Sequence, residues 1–351
     1  QRPTSPSTGE WRYNTTTNVV EFYDGTQWRV LQFEDLPAVP SENFNTVIWT
    51  GTGSAQTIEV GFQPDMIWYK ARNQGYDHNV YDSSRGLNVF IRPNDTIAQY
   101  TAGDQITGVT STGFTLGTGN DGNQNGTTFV AWCWKANAGT TSSNTDGSSA
   151  STVQVNTQAG FSIVKNTGTG ATATLGHGLN ATPSLMIRKN FSNAGDWFVY
   201  HSGAGLAMGY LFNSDNFSTT NNAAYAYYQS APTSTVFSVS NDGGSQGNNS
   251  GQDYVTYLFA EKAGYSKFGT YTGNGSAAGP IVTTGFEPAF IIIKRTDSAD
   301  NWSMTDNKRS TSNPRSNALF PNLTQSELTS GYTVDYLSNG FQIADSGAGV
   351  N

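Results

Sequence analysis

Apolar residues along this chain come in short runs bounded by Gly, Pro or Asn, and no stretch of three turns carries them at helical spacing. Where the runs are longest they alternate. Val130, Trp132 and Trp134 fall on one face at period two, as do Val255, Tyr257 and Phe259, which predicts strands turning that face to a core. An exposed aromatic stripe for ligand stacking is the competing reading of the same pattern. Thr and aromatics favour strands, while Gly and Asn supply turns, so the pattern predicts an all-β protein.

The runs recur in a fixed order. Each copy has an apolar strand, a Gly-x-Gly turn, a Gly followed by a large apolar residue, a Pro, and a short apolar strand ending in a basic residue. The first reads Trp49, Gly51, Gly53, Gly61-Phe62, Pro64 and Met66 to Tyr69 before Lys70. The second reads Val164, Gly168, Gly170, Gly178-Leu179, Pro183 and Leu185 to Ile187 before Arg188 and Lys189. The third reads Tyr271, Gly273, Gly275, Gly285-Phe286, Pro288 and Phe290 to Ile293 before Lys294 and Arg295. Downstream, Asp77 to Asp82, Asp196 to His201 and Asp300 to Asp306 correspond, followed by Phe114-Thr-Leu116, Phe237-Ser-Val239 and Phe341-Gln-Ile343. Short strands separated by turn signals predict tandem antiparallel β-sandwich repeats of jelly-roll type.

The expected organisation is therefore an N-terminal β-meander over 1–36, a first repeat over 44–136, a linker over 137–152, a second repeat over 153–262 and a third over 263–351. The linker has no apolar side chain larger than Ala, whereas only Glu261 to Lys267 separate the second and third copies, predicting a stiffer junction. In the meander, Trp11 to Asn14, Val19 to Tyr23 and Gln27 to Leu31 read as strands joined around the Asp24-Gly25 turn, and so small a sheet needs a partner surface. The third copy reaches Asn351 inside the loop that precedes a closing strand in the other two. A cut chain, or a strand from another subunit, would account for that, and the initial Gln1 reads as processing or as a piece of a longer protein.

Charge narrows the partners. The net charge of −8 comes with no clustered basic footprint, which argues against nucleic acid, and no apolar run is long enough for a membrane span. Cys133 is the sole cysteine; between Trp132 and Trp134 it reads as a buried structural thiol.

Arg2-Pro3, Pro6, Gly9, Tyr13-Asn14-Thr15-Thr16-Thr17, Glu21, Tyr23-Asp24-Gly25 and Trp28 form a segment that resembles one common in structural proteins of tailed bacteriophages. The repeat, above all Tyr254 to Lys262 followed by Gly264 to Gly275, then Gly285-Phe286, Pro288 and Ile293-Lys294-Arg295, resembles repeats in fibre proteins of marine phages, notably those infecting cyanobacteria. The resemblance implies a virion protein, a homotrimeric tail fibre or adhesin that attaches to a host-surface glycan or protein, with the meander trimerising it or anchoring it to other virion proteins. A capsid decoration or head-fibre protein is the alternative, and a glycan depolymerase the third reading.

Reactive groups are few. His78, His177 and His201 are the only histidines, and there is no nucleophile elbow, zinc-protease helix or phosphate loop. Asp82, Asp196, Asp300 and Asp306 are the carboxylates to weigh for glycan cleavage; because they recur in each copy, they read as turn or ladder residues. Asn120-Asp121-Gly122-Asn123 and Asn241-Asp242-Gly243 lack the full spacing of a calcium loop. No catalytic residue, metal or cofactor is expected. The binding patch expected from the sequence lies in Asn221 to Gln229, at Tyr225, Tyr227 and Tyr228, since aromatics give contact area at low entropic cost; core or trimer-interface packing is the other reading of these tyrosines.

Overall fold

The structure is a computed structural model that describes residues 3–16, 19–30, 38–101, 103–206, 209–216, 228–240 and 247–351. It divides into two compact units, Gln1–Pro37 and Ala38–Asn351. In the first, β1 (Trp11–Asn14), β2 (Val19–Tyr23) and β3 (Trp28–Val30) form an antiparallel sheet in that order. Asp24 makes the second turn. Its carboxylate accepts from the Thr26 hydroxyl and from the Thr26 and Gln27 amides, and it pairs with Arg29 at 2.7 Å. Those bonds, the Thr26 hydroxyl foremost, hold the carboxyl well below the usual carboxylate range. Glu21 is buried mid-sheet, where Arg12 at 2.8 Å and Asn14 at 3.1 Å donate to it, and the Arg12 guanidinium lies over Trp28.

The second unit holds three modules. The first contains α1 (Pro40–Asn43), β4 (Phe44–Thr50), β5 (Gln56–Glu59), β6 (Met66–Ala71), β7 (Asn79–Asp82), β8 (Gly86–Ile91), β9 (Tyr100–Thr101), β10 (Ile106–Val109), β11 (Gly113–Leu116), α2 (Asn120–Asn123) and β12 (Thr128–Trp134). A large sheet in the order β4-β12-β6-β7-β8-β9 packs on a small one, β10-β11-β5. The second module has β13 (Ser142–Asn144), β14 (Ser151–Asn156), β15 (Phe161–Thr167), β16 (Ala173–Gly176), β17 (Leu185–Asn190), β18 (Trp197–His201), β19 (Tyr210–Leu211), β20 (Val236–Val239) and β21 (Asp253–Phe259). Its sheets run β13-β14-β15-β21-β17-β18-β19 and β16-β20. The third has β22 (Ile281–Thr283), β23 (Phe290–Ile293), β24 (Ser303–Asp306), β25 (Val334–Leu337) and β26 (Gly340–Ile343), with a three-stranded sheet β22-β26-β25 and only two strands, β23-β24, in the other. All pairings between the named strands are antiparallel, and the fold is an all-β sandwich.

The large sheets bury both faces, and this is where the modules cease to be separate beads. On β12, Phe129, Ala131 and Cys133 point into the first module's own sandwich, while Val130, Trp132 and Trp134 join a central core. That central core also takes Met66 and Trp68 from the first module, Ile187 and Trp197 from the second, and Trp302 and Met304 from the third. The second and third modules keep sandwich cores of their own around Leu258 and Phe237, and around Tyr336 and Ile343.

The segment 137–152, expected as a linker, is part of the second module. Ser142–Asn144 pairs with β14, and Ser149 bridges to Leu175. A sheet edge requires backbone donors and acceptors, which a Ser/Thr/Asn run supplies without any apolar side chain. Its start is pinned by Asp65, whose carboxylate accepts from the amides of Ala136, Ala138 and Gly139 at 2.6 to 2.9 Å.

Candidate functional site: the ring of modules and the open slot

One station in each module carries the contacts that close the three into a ring. His78, Trp197 and Trp302 follow the repeated acidic turn, and an asparagine clamps each of them in the same way. Asn94, Asn213 and Asn322 accept from the backbone amides of His78, Trp197 and Trp302 through Oδ1, at 2.8, 2.8 and 3.1 Å. Their Nδ2 atoms donate back to the side chains of Asp77, Asp196 and Asn301. Held this way, each ring reaches a main-chain carbonyl of another module. Trp197 Nε1 donates to Arg92 O at 2.8 Å, Trp302 Nε1 to Leu211 O at 3.0 Å, and His78 Nε2 lies 2.9 Å from Phe320 O. The second module thus binds the first, the third binds the second, and the first binds the third. The same interfaces repeat elsewhere: Gly195 and Asp300 amides donate to Thr96 O and Asp215 O, where the Lys189 and Lys294 amines also donate.

In the first module a histidine stands at the indole's station, and its surroundings have changed to suit. Trp68, on the neighbouring strand, occupies the position of Ile187 and Ile292, and its Nε1 donates to His78 Nδ1 at 3.0 Å. Nδ1 therefore accepts, and Nε2 carries the proton that it gives to Phe320 O. Burial first, and then the nearby Lys70, hold His78 well below the usual imidazole value, so it is a neutral structural group.

The recurring carboxylates are committed in a similar manner. Asp82 pairs with Arg85 and Asp306 with Arg309, each at 2.5 Å and fully buried. Each also accepts from the fifth residue of a closing strand in another module: Tyr257 Oη reaches Asp82 at 2.7 Å, and Trp132 Nε1 reaches Asp306 at 3.1 Å. In the second module both members of the pair are replaced together, by His201 and Ala204. Asp196 is bound by Asn213, and Asp300 accepts from the Asn301 amide. His177 Nδ1 accepts from the Leu179 amide, and burial lowers its basicity. Cys133 is fully buried, and burial pushes its thiol up. Asp121 pairs with Arg92, and Asn123 caps the Gly51–Ser54 turn; Asn241-Asp242-Gly243 lies outside the described residues. Among the described residues no group of three or more His, Cys, Asp or Glu could hold a metal ion, and no helix is long and apolar enough to cross a membrane.

Of the three tyrosines expected as a binding patch or as core packing, Tyr228 is the one described. Tyr228 is turned into the second module's core, edge-on to Tyr200 at 6.0 Å, with its hydroxyl buried. Its ring follows β20 and the apolar sandwich rather than solvent. Tyr225 and Tyr227 lie outside the described residues.

A concave feature lies where the third module meets the other two. A cavity of about 860 Å³ runs along the edge of β23 that has no strand beside it. Its other wall is the non-strand segment 265–273, its base is formed by Trp134, Phe161 and Phe259 of the other modules, and Lys294 and Arg295 line one part of it. Sequence reasoning found the repeats that create this slot and the acids of the ring, but not the ring itself. The available signal was the shared station of His78, Trp197 and Trp302, and the Asp-x-x-Arg spacing kept in the first and third copies and lost as a pair in the second.

Fold and site together define an all-β, three-module sandwich protein whose buried polar groups serve to join the modules. The chain belongs to the DUF7483 family, a domain of unknown function, whose profile matches residues 39–351 and so begins where the second compact unit begins. No curated protein and no solved structure matches the chain.

Proposed function

We propose that the chain is a non-catalytic virion structural protein of the tail-fibre or adhesin class, which attaches to a host-surface glycan or protein. The observation that carries the reading is the commitment of the acids and bases. Asp82, Asp306, His78 and Lys189 hold modules together at full burial instead of converging on a cleft. The two phage-like segments supply the virion context. The N-terminal sheet leaves Trp11 and Tyr13 on one face, each 59% exposed, which suits self-association into a trimer or docking on another virion protein.

The test is binding of the full chain to host cells and to a glycan array, together with labelled electron microscopy of the particle. Saturable binding and label at the tail support the reading. Absence of binding to any envelope component overturns attachment, capsid-lattice label moves the protein to the decoration class, and release of reducing ends from host polysaccharide overturns the non-catalytic assignment.

A further inference from the structure

We propose that the slot beside β23 is an acceptor for one extended peptide strand of seven residues, antiparallel to β23, with the pattern polar, aromatic, Val, small, aromatic, medium apolar, aromatic. This inference is independent of the virion reading. It rests on the ring's internal equivalence.

In the first module β12 lies between β4 and β6, and in the second β21 lies between β15 and β17. Trp134 faces Met66 and Phe259 faces Leu185, the residues that Phe290 matches. The turn that feeds these strands is conserved in its bonding. Ser83 N, Ser202 N and Asn307 N donate to Asp65 O, Ser184 O and Ala289 O at 2.9, 2.8 and 3.0 Å. The amides of Asp65 and Ser184 in turn donate to Trp134 O and Phe259 O at 2.8 and 2.7 Å, so the Ala289 amide is the one aimed at the slot. The far wall agrees. Residues 266–272 stand where β4 and β15 stand, yet form no strand, because β4 has β12 as its only neighbour and the segment has no such strand to pair with.

The chemistry of the occupant follows from the two strands already seated, Thr128–Trp134 and Asp253–Phe259. Their third, fifth and seventh residues complete the central core, and in the third module the same positions open onto Trp134, Phe259 and Phe290 at the cavity base. Their second, fourth and sixth residues fill each sandwich, where Ile291, Val334 and Phe341 await in the third. The fifth residue has a further partner. By the ring's order it reaches the second module, where His201 lines the cavity in place of an aspartate. His201 Nδ1 accepts from the Gly203 amide at 3.1 Å, leaving Nε2–H to donate, so a tyrosine hydroxyl, which can accept, fits at this position and an indole does not. The slot is thus continuous with the two established strand seats, and strand addition is the recognition mode it is built for.

The experiment adds a fluorescent peptide of the sequence Asp253–Ala260, carrying terminal lysines for solubility, to the full chain and follows anisotropy, with hydrogen exchange at the Phe290 and Ile292 amides, whose equivalents in the other modules donate to the closing strand. The expected result is one-to-one saturable binding, about tenfold or more tighter than that of a scrambled peptide, and slowed exchange at β23. Replacing the peptide's tyrosine at the fifth position by phenylalanine weakens it. A second protein, with residues 249–260 repeated in fusion after Asn351, is expected to melt higher and to lose peptide binding. Equal binding of the scrambled peptide, no binding, or a chain dimer that the peptide cannot disperse would each overturn the proposal.

Discussion

The Asp306–Arg309 pair offers a sharp test of the ring. Asp306 accepts from Arg309 Nε at 2.5 Å, from Trp132 Nε1 at 3.1 Å, and from the Arg309 and Lys308 amides at 2.8 and 3.0 Å. Arg309 in turn donates to Glu327 and to Met304 O, both at 3.0 Å. Removing one buried partner leaves the other uncompensated, which costs about 3 to 5 kcal/mol. Asp306→His and Arg309→Ala should each cost that much. Together they recreate the His201 and Ala204 pair of the second module, and Glu327 keeps its bidentate bonds to Arg72 at 2.8 and 3.0 Å. No charge is then stranded, so the double variant should lose about 3 kcal/mol less than the sum of the singles. Urea unfolding followed by tryptophan fluorescence and circular dichroism gives the three free energies. Additivity within about 0.5 kcal/mol would refute the claim that the two groups act as one unit at the interface.

His78 makes the fold acid-sensitive: it is neutral when folded and takes a proton when unfolded, so its contribution is present above about pH 6.5 and is lost as pH falls below that value. The double change Trp68→Ile/His78→Trp copies the other modules and should flatten the fall in unfolding free energy between about pH 7 and 5.5; an unchanged slope would count against it. At Gly168 a Cβ would stand 2.1 Å from Asn249 O, so Gly168→Ala should cost about 2 to 4 kcal/mol in urea unfolding, against under about 0.5 for Gly209→Ala, which meets nothing within 4 Å. Cys133 should resist a thiol reagent except through unfolding, since it is enclosed and burial raises its pKa; labelling faster than unfolding would show that β12 is not seated as described. The excised second module, 137–262, would expose Phe161, Ile163, Val255 and Tyr257, and light scattering should find it self-associated, whereas a cooperative monomer would deny the central core its role.

The repeats, the alternation on β12 and β21, and the all-β class were legible because each is written in local residue order. The ring was not, because its bonds join residues 91 to 242 positions apart and end on main-chain carbonyls, which have no residue signature. The same limit misled the reading of 137–152, where backbone pairing does work that side-chain polarity hides. Tyr228 shows a third limit. Its neighbourhood in the sequence left surface patch and core packing both open, and the packing of Tyr200 and Phe237 around it decides for the core.

Three identical subunits round an axis must carry every substitution three times, so their interfaces stay alike. Three modules on one chain are free of that rule, and here two of the three junctions have diverged by paired changes. Trp68 with His78 replaces an isoleucine with an indole, and His201 with Ala204 replaces an ion pair. Paired change preserves the satisfaction of buried polar groups while making the three junctions non-interchangeable, so the order of modules round the ring is fixed by chemistry as well as by connectivity. The junction that has shed its ion pair is also the one at the open slot, where His201 lines the cavity next to the unpaired edge of β23. There no Asp–Arg pair has to be kept satisfied. Relaxed electrostatics and an unpaired edge at one place make that junction the part of the fold best able to accept a strand.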